Sequence, residues 1–98
     1  MLLRKAVAAA PEAADAQFAL ALGLVRQHRP AEAMPLLEKA SLLAPENETY
    51  AYTFGVAALE TGNAERALKI AENYLQAHPE SVRLFKLSNG ARKILNHE

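Results

Sequence analysis

The chain has 98 residues, room for one domain or part of one. Its formal net charge is zero, which removes the general electrostatic argument for nucleic-acid or membrane binding. With no cysteine there is no disulfide framework, thiolate metal site or cysteine nucleophile, and no apolar run approaches the roughly 20 residues of a membrane span.

Good helix formers dominate and aromatics make up only 6% of the residues, so the expected fold is all-α. Residues 2–10 read as the tail of one helix. A second runs over about 12–27, with apolar Phe18, Leu20, Leu22, Leu24 and Val25, until His28-Arg29-Pro30 breaks it. Pro30 suits the first position of a third helix, which ends near residue 43 before Pro45. Pro35 lies inside that helix, where it removes a hydrogen bond and meets the carbonyl four residues back. A kink or a later helix start is therefore expected. Asn47 is an N-cap for a fourth helix reaching about residue 61, with Glu46 and Glu48 at its positive end. Gly62-Asn63 reads as a C′ glycine followed by an N-cap. A fifth helix covers about 64–77, and Ser81 caps a sixth that runs to about 96.

These elements repeat. Pro11, Pro45 and Pro79 recur at intervals of 34 residues, as self-similar helix–turn–helix units do. Leu2-Leu3-Arg4-Lys5-Ala6 before Pro11 returns as Leu36-Leu37-Glu38-Lys39-Ala40 before Pro45, and Ala33 and Ala67 keep the same interval. Acidic side chains prevail over residues 12–61, seven against three basic. Basic ones prevail over 62–98, six against four.

With these features the chain resembles the tetratricopeptide repeat (TPR) family. Numbered from Glu48, one unit offers Ala51, Phe54, Gly55, Ala58, Ala67, Ala71, Tyr74 and Pro79 at the family's signature positions 4, 7, 8, 11, 20, 24, 27 and 32. The preceding unit offers Gln17, Leu20, Ala21, Leu24, Ala33, Leu37, Ala40 and Pro45. The small residue at 8, the alanine at 20 and the proline at 32 hold in both. The large residue at 4 is absent from both, and the second unit exchanges the aromatic at 24 with the small residue at 27. The resemblance implies a right-handed stack of antiparallel helix pairs, an α-solenoid of about two and a half repeats and six helices. Its parts are a half repeat over 1–11, repeats over 14–47 and 48–81, and a terminal helix over 82–96.

The resemblance further implies a concave groove lined by unit positions 2, 5, 9 and 12. Here those are Asp15, Phe18, Leu22 and Val25, then Thr49, Tyr52, Val56 and Leu59, then Arg83, Lys86, Gly90 and Lys93. Helical spacing independently puts Phe18, Leu22 and Val25 on one face, and likewise Tyr52, Val56 and Leu59. The expected function is protein–protein interaction: a peptide or helical segment of a partner in a largely apolar groove with a basic end. The competing account of these side chains is ordinary interhelix core. Related proteins hold C-terminal carboxylates with Lys and Asn at positions 5 and 9. Phe18 and Leu22 stand there, so that clamp is not supported. The Arg83, Lys86 and Lys93 stripe suits phosphate or an acidic peptide, or is a solvated face.

No pattern points to catalysis. His28, His78 and His97 lack partners at metal spacing, the serines lack a nucleophile elbow, and the glycines form no phosphate loop. No enzymatic role, cofactor or metal is expected. Other readings are a structural spacer of a multidomain protein and an RNA- or polyanion-contacting repeat, though nucleic acid is disfavoured by the net charge. The terminal helix carries Val82, Leu84, Phe85, Leu87, Ile94 and Leu95, more apolar surface than one neighbour covers. That implies either excision from a longer array or a homo-oligomer formed through an open end. The N-terminus has no separate apolar region with a cleavage site, so no signal peptide is expected. Cytoplasm is the default, and the compartment is otherwise not revealed.

Overall fold

The computed structural model describes residues 11–96, and these form five α-helices: α1 (Pro11–Arg26), α2 (Pro30–Leu43), α3 (Glu48–Glu60), α4 (Ala64–Ala77) and α5 (Val82–Asn96). The half repeat expected over residues 1–11 and His97 fall outside the described residues, apart from Pro11, which begins α1. Each helix packs on the next, and α3 also meets α5.

The turns show why the repeat has this length. Within each helix pair, His28 N–H donates to the Val25 carbonyl and Arg29 N–H to that of Leu24. Gly62 N–H and Asn63 N–H do the same to Leu59 and Ala58, each residue 34 further on. The last bond of each set spans six residues, which closes a helix C-terminus with its C′ residue left-handed. Gly62 has φ 80° and His28 has φ 61°. Between pairs, Asn47 N–H reaches the Ala44 carbonyl and Ser81 N–H that of His78, again one interval apart. Pro45 and Pro79 sit in these turns, where a missing N–H leaves no ladder bond unmade.

The three expected N-caps form. The side chains of Asn47, Asn63 and Ser81 accept hydrogen bonds from the backbone N–H groups of Tyr50, Arg66 and Leu84. The alternative of a later start for the helix containing Pro35 is overturned. α2 is helical from Pro30 and includes Pro35. Pro35 and Ala31 are both exposed, so the carbonyl that loses its partner lies where water replaces the bond.

Among the described residues, twelve of the nineteen buried apolar ones are alanine, so stability rests on helices lying close rather than on bulky side chains. Ala33 and Ala67 are fully buried in one cluster with Ala21, Leu37, Phe54 and Ala58. At Gly55 even a Cβ would run into the Leu87 side chain of α5. A second cluster joins Ala51, Ala71 and Tyr74 to Leu84 and Leu87.

Left-handed backbone at His28 costs roughly 1–2 kcal/mol for a residue with a Cβ. His28→Gly should therefore raise the unfolding free energy by on the order of 1 kcal/mol, read as a higher urea midpoint. Ala67→Leu should lower it by about 1–3 kcal/mol through overpacking. An unchanged midpoint in both variants would contradict the packing described.

Candidate partner-binding groove

On the α3–α5 side, a cleft of about 300 Å³ is lined by Tyr52, Val56, Leu59, Arg83, Lys86, Leu87 and Gly90. Six of the residues expected in the groove meet here, because α3 and α5 lie side by side with equivalent faces turned the same way. Leu87 is an addition that the unit positions did not indicate. It enters because Gly55 lets α5 sit close to α3. The Arg83 guanidinium lies 4.5 Å from the centre of the Tyr52 ring, a cation–π contact. Its Nη1 is 3.5 Å from Thr49 Oγ1 and 3.6 Å from Glu48 Oε2. Ser81 Oγ donates to the other Glu48 oxygen at 3.1 Å, so the residue that caps α5 also orients the carboxylate beside Arg83. Lys86 and Lys93 are exposed, and neither pairs with a carboxylate among the described residues. Lys93 does not line the cleft.

The four groove positions of α1 sit elsewhere. Phe18 and Val25 are half-buried and pack against the core, as Tyr52, Val56 and Leu59 also do. The Phe18 ring lies 4.5 Å from that of Tyr50. Leu22 is half-buried and Asp15 is exposed. Asp15 accepts a hydrogen bond from the Tyr50 hydroxyl, tying α1 to α3. That bond and the burial of its ring push the Tyr50 pKa up to about 12. The register holds a cue to this pair: Asp15 is position 2 of one unit and Tyr50 position 3 of the next, on adjacent helices.

A larger cleft of about 510 Å³ opens on another side, between α2 and α4 over α3. Ser41, Leu42, Pro45, Phe54, Ile70 and Tyr74 are among its walls. It draws on positions outside those counted for the groove. Leu42 in its wall is exposed, at 74%. Among the described residues no three His, Cys, Asp or Glu side chains are grouped to hold a metal ion, and no helix is long and apolar enough to cross a membrane.

Residues 24–88 match the sequence model of the family described as tetratricopeptide repeat, about two thirds of the chain. No curated protein matches the chain.

The Asp15–Tyr50 bond gives a pH dependence. The folded-state pKa of Tyr50 is raised above the ordinary 10, so its stabilisation is fully present below about pH 10 and is lost as pH rises through about 12. In Tyr50→Phe this alkaline loss should shrink. The neutral-pH unfolding free energy should fall by about 1–3 kcal/mol, because a hydrogen bond to a charged group is removed. Urea unfolding at neutral and alkaline pH checks both. Parallel pH profiles for the two proteins would contradict the bond.

Proposed function

We propose that this chain, which belongs to the tetratricopeptide repeat family, is an interaction scaffold that takes a peptide or helical segment of a partner protein in the α3–α5 groove. Repeats of this family generally mediate protein–protein interaction and are in general non-enzymatic scaffolds. In this reading α3, in the unit over 48–81, supplies the apolar wall, and α5 supplies the basic end.

One observation carries the proposal. Apolar Tyr52, Val56, Leu59 and Leu87 share a cleft with Arg83 and Lys86. Such a lining suits a segment with an apolar side chain for the floor and a carboxylate for the cations. Arg83 already covers the Tyr52 ring, so the pair arrives partly organised and loses less entropy on binding.

A second reading has its own observation. α5 carries Arg83, Lys86, Arg92 and Lys93 and no acidic residue, a composition that also suits a polyanion such as RNA. The half-exposed Val82 and Phe85, at 62% and 55%, support self-association through the α5 end.

Selection of peptides on the folded chain from a random library tests the main reading. The selected peptides should bind in the micromolar range, and Tyr52→Ala should weaken them at least about tenfold. Leu22→Ala, outside the cleft, should change affinity less. Equal binding by a folded Tyr52→Ala variant contradicts the groove. A steep loss of binding with salt, shared by generic polyanions, would favour the second reading.

A further inference from the structure

We propose that Gly90 of α5 is a socket for one leucine-sized side chain, presented by an amphipathic helix of the partner that carries an acidic residue one turn to either side of it. The proposal rests on the α3–α5 groove being the partner site.

Gly90 lies at the middle of α5 and lines the groove beside Leu87. Nothing within the fold calls for a glycine there. Its backbone is helical rather than left-handed, unlike that of Gly62. A Cβ at Gly90 would meet no heavy atom within 4 Å. Val56 fills the equivalent place one interval earlier and lines the same groove. A glycine inside a helix is nonetheless less favourable than alanine, by about two- to fivefold in the folding equilibrium. Gly23, whose Cβ position is also open, sits instead in the last turn of α1, where helices fray.

The fold itself shows what a bare stretch of helix accepts. Gly55 of α3 takes the Leu87 side chain of α5 in the space that its own Cβ would need. Gly90 offers the same kind of bare backbone, with Val56, Leu59 and Leu87 sharing its cleft.

Charge selects the rest of the occupant. Lys86 lies four residues before Gly90 and Lys93 three after it, the spacings of adjacent turns on one helix face. Both are exposed, and neither has a carboxylate partner among the described residues. Arg83, two turns away, is already engaged by Glu48 and the Tyr52 ring. A helix laid along α5 with its leucine over Gly90 brings the residues one turn before and after that leucine to the two lysines, whichever way it runs. Carboxylates at those places complement the lysines.

The test uses a capped, alanine-rich helical peptide of about 16 residues, with one leucine and a glutamate four residues to either side. It is titrated into the full chain and followed by amide chemical shifts. Shifts at Lys86, Leu87 and Gly90 should saturate with a Kd of about 0.1–1 mM. Alanine in place of the leucine should weaken binding about tenfold. Gly90→Ala should raise the urea midpoint of unfolding yet weaken the leucine peptide at least about fivefold, because the socket is overpacked. The alanine peptide should bind both proteins alike. Glutamine in place of both glutamates should weaken binding about threefold at low salt. No saturable shift up to about 5 mM overturns the occupant. Equal binding of the leucine peptide by Gly90→Ala overturns the socket, and equal binding of the glutamine peptide overturns the acidic partner. The groove is judged separately. If library-selected peptides lose affinity in Tyr52→Ala but not in Gly90→Ala, the groove stands and the socket falls; if they lose it in neither, both fall.

Discussion

How near one helix can come to the next decides this structure. At the contact between Gly55 of α3 and Leu87 of α5, one added methyl group would force the Leu87 side chain to move. Ala33, Ala67, Ala71 and Ala91, all fully buried, set the other separations. Apolar area per alanine is small, so the stack gains its stability from many short-range contacts between backbones and small side chains. That is why its tolerance for larger residues in these places is low. The same closeness builds the site: Leu87 reaches the floor of the α3–α5 cleft because nothing stands between it and α3.

Polar links then fix how successive units sit. Tyr50 bonds Asp15 across α1 and α3, Tyr74 of α4 bonds the Glu46 carbonyl in the turn between α2 and α3, and Ser81 with Arg83 holds Glu48 across α3 and α5. Burial raises the Tyr74 pKa first of all, with nearby Glu48 and the other carboxylates adding to it. Both phenols therefore stay neutral donors at ordinary pH. The exposed ion pairs, such as Arg29 with Glu32, contribute little beside these.

Much of this was legible in the sequence, for physical reasons. Proline, glycine and cap residues act locally, so Pro30, Asn47, Gly62, Asn63 and Ser81 announced their turns, and the bounds of α2 and α4 agree with the expected ones. Pro35 did not delay the helix start, because local chemistry does not say which side of a helix meets water. His28 in a left-handed turn was hidden, since a histidine there carries no signal of its own; only its spacing of 34 from Gly62 does. Register brought Tyr52, Val56, Leu59, Arg83, Lys86 and Gly90 to one cleft, while Thr49 and Lys93 lie outside its lining. For α1 the register gave the face but not its depth, and Phe18 and Val25 turned out to serve the core. The α2–α4 cleft was invisible because it depends on which gaps remain after packing.

α5 breaks the pattern in an informative way. Ala51, Gly55 and Ala58 of α3 correspond to Phe85, Asn89 and Arg92, one interval on, and all three are exposed. A helix could not approach that face as closely as α5 approaches α3. The expected excess of apolar surface on this helix is present in Val82, Phe85 and Ile94, while Leu84, Leu87 and Ala91 are buried. One contact therefore matters above the rest, the seat of α5 on α3. Proton–proton nuclear Overhauser spectra measure it directly. Strong cross-peaks between the Gly55 α-protons and the Leu87 methyl groups, and between the Tyr52 ring and the Arg83 side chain, are the predicted result. A folded protein lacking both sets would contradict the close approach and the groove built on it.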